Sequence, residues 1–116
     1  MLLRIDPDSE RPLFAQVADS VRMDAAVGAL KPGDRLPAAR DVASALGVNV
    51  HTVLRAYQDL RDEGLVELRR GRGAVVTDTA TQLVHLHDDV RALATRAHSL
   101  GLSPETLTAL LKEMTP

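Results

Sequence analysis

The 116-residue sequence predicts a mostly α fold with a small β-hairpin: a winged helix-turn-helix over residues 1–78, followed by a two-helix region over residues 79–116. Three observations predict it. Apolar residues recur at helical spacing in three successive segments. A small residue, a glycine and a valine then fall at the spacing that folds one short helix across another. Two short apolar runs follow, joined by an arginine- and glycine-containing loop.

The elements follow in order. Pro12 suits a first-turn position that needs no N–H, with Ser9 or Glu10 before it, and Leu13, Phe14, Val17 and Val21 mark the inward stripe of a helix of four or five turns. Gly28 marks its fraying end, and Lys31-Pro32-Gly33-Asp34 is a tight turn, since Pro and Gly preset the two central φ angles. A second helix spans about Ala38 to Leu46, with Val42, Ala43 and Leu46 inward. Asn49 caps a third helix that reaches about Glu63, with Val53, Ala56, Tyr57 and Leu60 inward and Gly64 as its stop. Leu65–Arg69 and Ala74–Thr77 read as strands around the connection Arg70-Gly71-Arg72-Gly73.

From Thr79 a long helix carries Leu83, Leu86, Val90, Leu93, Ala97 and Leu100 at alternating three- and four-residue steps, a heptad seam. Gly101 ends it. Ser103-Pro104-Glu105 supplies an N-cap, a first-turn proline and a first-turn acid for a last helix, whose stripe is Leu107, Leu110, Leu111 and Met114. Two helices enclose only a thin core, so these ten side chains are expected to form a dimer interface in which two chains interlock.

Composition bounds the function. Aromatics are 2% of the chain against 45% hydrophobic residues, so the core is aliphatic and no aromatic platform for stacking single-stranded bases is available. The absence of cysteine excludes thiol catalysis and cysteine-ligated zinc. A net charge of −2 argues against a non-specific nucleic-acid coat but not against a site-specific binder, which needs only a local basic face. No uncharged stretch approaches the roughly 20 residues of a membrane span, and no signal-type apolar run opens the chain, so a cytoplasmic protein is expected. His85 and His87, two apart on a helix, point in different directions; with His98 they make a poor ligand set, and neither a metal nor another cofactor is expected. The carboxylates are scattered and no serine has a histidine and acid arranged beside it, so an enzyme is not expected.

The informative window is Val42–Leu60. Ala43 is the small crossing residue, Gly47 the turn, Val48 the plug between the helices, and Val53 the seat of the next helix. An ordinary helical hairpin shares this spacing, but the hairpin after Gly64 favours the winged form, whose arginine-rich tip suits phosphate contact or minor-groove insertion.

At these residues the chain resembles the GntR family of bacterial regulators. The match runs from Asp6-Pro7, Pro12-Leu13-Phe14 and Gln16 through Leu30-Lys31-Pro32-Gly33-Asp34-Arg35-Leu36-Pro37, Arg40, Ala43 and Leu46-Gly47-Val48-Asn49. It continues through Thr52-Val53, Arg55-Ala56-Tyr57, Leu60, Glu63-Gly64-Leu65 and Arg70-Gly71-Arg72-Gly73. Arg-Ala-Tyr and the short C-terminal part are similar to the YtrA-type subfamily, in which two helices mediate dimerisation. The resemblance implies a sequence-specific, DNA-binding transcription regulator, a repressor that occupies a palindromic operator as a homodimer. Thr52 then holds a phosphate, His51 and Arg55 read bases or backbone, Arg40 approaches the backbone, and Arg70, Gly71 and Arg72 form the wing contact, with Asn49 beside them. Ala38 stands where the family often has a serine that caps the second helix, a loss of roughly 1 kcal/mol. For Arg55 the bland alternative is an ion pair with Asp59; for Arg35 a solvated loop residue is as good a reading as a contact. The aliphatic lining of such a dimer suggests a small hydrophobic effector, of unknown identity, as its switch. The competing class is a winged-helix protein-interaction module without specific DNA binding.

Overall fold

The computed structural model describes residues 1 and 3–116. The order is α1 (Leu13–Ala26), α2 (Ala39–Leu46), α3 (Val50–Asp62), β1 (Val66–Arg69), β2 (Gly73–Val76), α4 (Thr79–Ser99) and α5 (Pro104–Met114). These residues form two compact units, Met1–Val84 and His85–Pro116.

In the first unit, α1 and α2 both pack on α3, and β1 follows α3 directly. The core is aliphatic, as composition requires: Val17, Val21 and Ala25 of α1, Val42 and Ala43 of α2, and Val53, Ala56 and Leu60 of α3 are buried together with Leu65 and Val66. Ala43 lets α2 and α3 approach closely. Gly47 takes φ 68°, a left-handed angle that a side chain resists, and this lets the Val48 N–H return to the Ala43 carbonyl at 3.0 Å. Gly64, at φ 84°, does the same after α3, where the Leu65 N–H reaches the Leu60 carbonyl at 2.9 Å.

Several boundaries differ from the sequence reading. Pro12, expected in the first turn, sits at the N-cap of α1 instead, and no side chain caps the helix. Ser9 instead accepts from the Arg11 N–H, closing the turn before the helix. Gln16 binds this entry segment: its Oε1 accepts from the Asp6 N–H at 2.7 Å, and its Nε2 donates to the carbonyls of Asp6 and Arg11. β2 begins at Gly73 and ends at Val76, one residue earlier at each end than expected: Gly73 pairs with Arg69, and the next pair beyond Val66 and Val76 keeps only the Thr77 N–H bond to the Leu65 carbonyl, because the Leu65 N–H goes to the Leu60 carbonyl.

The antiparallel hairpin pairs Val66 with Val76 and Arg69 with Gly73. The loop after α1 turns at Gly33 as expected and then adds an edge to this hairpin. Gly33 and Leu36 donate to the carbonyls of Val76 and Ala74, and Val76 donates to the Asp34 carbonyl, all at 2.8 Å. β2 is thereby central, which is why Ala74, Val75 and Val76 are all buried while β1 exposes all but Val66.

In the second unit the Ser103 hydroxyl caps α5 by accepting from the Thr106 N–H, with Pro104 at its first turn. No side chain of α5 is buried. Leu86, Val90, Leu93, Leu100, Leu110, Leu111 and Met114 are all exposed, as are Val84 and Leu102, which the seam reading omits. Two expected seam positions are placed differently: Leu83 packs against the core of the first unit, and Ala97 is buried within the chain itself. Leu107 is half-buried. Among the described residues no helix is long and apolar enough to cross a membrane.

Candidate nucleic-acid interface

The outward face of α3 is set by its inward one. With Val53, Ala56, Tyr57 and Leu60 buried, the 3.6-residue repeat leaves His51, Arg55 and Gln58 facing out, and all three are exposed. Asn49 holds the start of this helix, its Oδ1 accepting from the His51 N–H at 2.9 Å. Its carbonyl is therefore engaged in capping, and its amide NH2 is the part open to a partner. Thr52 is half-buried within the first turn.

Tyr57 ties the entry to α2 onto α3. Its hydroxyl donates to the Pro37 carbonyl at 2.7 Å, and burial pushes its pKa up to about 12, so the phenol remains a donor throughout the neutral range. That bond fixes the residues just before Arg40, which is exposed in the first turn of α2. The expected gap at Ala38 is present, for no side chain caps this helix.

At the wing tip the Arg72 N–H returns to the Arg69 carbonyl at 3.0 Å, a four-residue turn that needs the positive φ of Gly71, 79°. Arg70 and Arg72 project from it, exposed. Arg35, from the loop that edges the hairpin, donates from Nε to the Arg72 carbonyl at 2.9 Å. It is thus neither a free loop residue nor only a candidate contact, but a brace between loop and wing. Its partner lies 37 residues away in sequence, so no local signal announces it.

Arg55 is placed otherwise than the ion-pair alternative supposes. Its guanidinium lies 3.6 Å from the centroid of the Phe14 ring, the chain's one phenylalanine, and not against Asp59. A cation over a ring face is held by the ring quadrupole while its N–H groups stay available at the edge. Phe14 is therefore part of the site, although its helical spacing marks it only as core.

Charge divides the first unit in two. Arg4, Arg11, Arg22, Arg61 and Arg69 each have an acidic partner. Arg35, Arg40, Arg55, Arg70 and Arg72, on α2, α3 and the hairpin with its edging loop, have none among the described residues. A cleft of about 250 Å³ joins these elements, lined by Pro37 and Ala38 before α2, Leu54 and Gln58 of α3, and Leu68 and Arg72 of the wing. An overall acidic chain thus keeps unneutralised cations where an anionic partner can reach them.

Residues 13–76 match the family described as bacterial regulatory proteins, gntR family. The chain belongs to the GntR family. A GntR relative, the HTH-type transcriptional repressor YtrA of Bacillus subtilis, is 34% identical over 97% of this chain and 92% of its own length. The solved structure of YtrA from Sulfolobus acidocaldarius, a GntR-family transcription factor, is 37% identical, covers 85% of this chain and 99% of that one, and superposes with a TM-score of 0.63. The DNA-binding domain of AraR in complex with operator ORE1 is 25% identical over 66% of this chain and 94% of that one, with a TM-score of 0.56. This GntR chain is accordingly a transcription regulator with a DNA-binding winged helix-turn-helix, and its short C-terminal region is of the YtrA type.

Proposed function

We propose that the chain is a repressor that binds a palindromic DNA operator as a homodimer, with residues 1–78 as the DNA-binding domain and residues 79–116 as the dimerisation region. The observation that carries this reading is the partition of the first unit's arginines: the five with no acidic partner among the described residues lie on the two helices, the edging loop and the wing that share one cleft. In the proposed complex the start of α3 enters the major groove, where His51 and Arg55 face base edges and Thr52 and the Asn49 amide meet the backbone. Arg40 holds a phosphate at the start of α2, and Arg70, Gly71 and Arg72 follow the neighbouring groove. The AraR domain, solved in complex with an operator, supports operator binding by a domain of this fold.

The homodimer reading is supported by the apolar side chains left exposed on α4 and α5. Two-fold symmetry then sets two half-sites one helical turn, or a multiple of it, apart. The same apolar lining is where a small hydrophobic effector would act on half-site spacing.

Purified protein titrated against a duplex enriched from random sequence, over a salt series, tests the reading. Affinity is expected to fall linearly on a log–log plot with a slope set by a handful of phosphates. Arg55→Ala is expected to cost about 1–3 kcal/mol on the best sequence and little on others, relaxing base preference. Arg72→Ala is expected to weaken all sequences nearly equally and to make the salt slope shallower. Equal losses on every sequence for both variants would contradict the assigned roles. Protein with no preference among duplexes would return the chain to the protein-interaction class.

A further inference from the structure

We propose that Leu54 reads thymine, taking its 5-methyl group into the apolar cleft between α3 and the wing. The inference rests on the reading of α3 as the groove-entering helix.

Leu54 is the apolar member of an otherwise polar outward face, adjacent to Arg55 and one turn before Gln58, and 38% of its surface is exposed. A single exposed leucine is ordinary. Leu54, however, shares its cleft with a second exposed leucine, Leu68 of β1, at 44%, and with Pro37. Neither leucine is covered by the other, so the cleft has an apolar floor open to solvent. It is also cationic: Arg35 and Arg72 both line it, and the Arg35 Nε bond to the Arg72 main-chain carbonyl holds the Arg35 side chain against the wing. No acidic side chain is among its lining residues.

Apolar side chains beside two cations in one cleft fit a ligand that offers one small apolar group close to anionic oxygens. Duplex DNA offers that pairing at one base. In the major groove the thymine C5-methyl is the apolar feature of an edge code otherwise made of donors and acceptors, and the flanking phosphates supply the negative charge. A leucine side chain takes up a methyl group by dispersion and by releasing water, and it discriminates thymine from cytosine, which presents an amino group and no methyl.

The test uses a duplex enriched from random sequence by the protein, resynthesised with deoxyuridine in place of each thymine in turn. This change removes the methyl group and nothing else. The wild-type protein is expected to bind about fourfold more weakly when one particular thymine of each half-site is replaced, which is the worth of one buried methyl group. Leu54→Ala is expected to bind the unmodified duplex with a similar loss and to be indifferent to deoxyuridine at that position. A leucine that only packs against Leu68 would lower the thermal midpoint on mutation and leave the deoxyuridine response intact, which overturns the proposal. So does a wild-type protein insensitive to deoxyuridine everywhere, a result that needs no variant to fold. Failure to enrich any sequence would instead sink the groove-entering reading itself, and the two failures are distinct.

Discussion

A chain carrying Leu86→Asp together with Leu93→Asp is expected to sediment as a monomer and to bind its full operator 10²- to 10⁴-fold more weakly than the unaltered chain, while its affinity for an isolated half-site stays nearly the same. The first part follows from the exposure of both side chains. Leu86 is 53% and Leu93 42% exposed on α4, seven residues apart, with Val90 between them at 51%. The three lie on one stripe of the helix, and no residue of α5 is buried in the single chain. Covering this apolar surface is worth roughly 25 cal/mol per Å² removed from water, whereas a carboxylate taken into the same surface without a partner costs several kcal/mol. The second part is the arithmetic of linked sites. Once one recognition unit of a dimer is bound, the other faces its half-site at a high effective concentration, and losing the link removes that gain without changing either unit. Analytical ultracentrifugation and titration of full and half operators read both effects. A variant that stays dimeric, or a monomer with undiminished operator affinity, would contradict the role given to α4 and α5.

Leu60→Ala is expected to destabilise the first unit by about 2–5 kcal/mol, and to lower its thermal midpoint by on the order of 10 °C or more. Leu60 is fully buried in the core to which α1, α3 and β1 all contribute, and its carbonyl accepts the Leu65 N–H that ends α3 and starts the hairpin. The core has almost no aromatic bulk with which to fill the cavity left behind. Gln58→Ala, two residues earlier but exposed, is expected to change stability by no more than about 0.5 kcal/mol. Thermal melts followed by circular dichroism check the pair. Similar small losses from both would mean that the inward stripe of α3 has been misassigned.

What the sequence makes legible is what depends on near neighbours. The helical stripes of α1 and α3, the Ala43–Gly47–Val48–Val53 crossing, the Asn49 and Ser103 caps and the paired strands are all written within about ten residues of themselves, and each is found in the structure. What stays hidden depends on distant partners. The Asp34–Leu36 segment reads as the exit of a turn, because its pairing with Ala74 and Val76 spans some forty residues. Gln16 reads as a helix residue of no special kind until its amide meets the main chain of Asp6. Phe14 reads as core, because helical spacing cannot show that Arg55 lies over its ring. The division of arginines into paired and unpaired has the same character: counted along the chain they are unremarkable, with 11 Lys and Arg against 12 Asp and Glu through Asp78. Only the fold separates the neutralised ones from those left unpaired on α2, α3, the edging loop and the wing.

The claim on which the rest depends is that the outward side of α3 and the wing tip meet DNA together. The chain contains no cysteine, so a single introduced one can carry a DNA-cleaving metal chelate without competing sites. Placed at Gln58→Cys and separately at Arg70→Cys, the chelate is expected to cut an enriched operator at two symmetric clusters. The α3 probe should cut within each half-site across the major groove, and the wing probe in the adjoining groove. Cuts scattered evenly along any duplex, or an operator left whole by both probes while the protein remains bound, would contradict the claim.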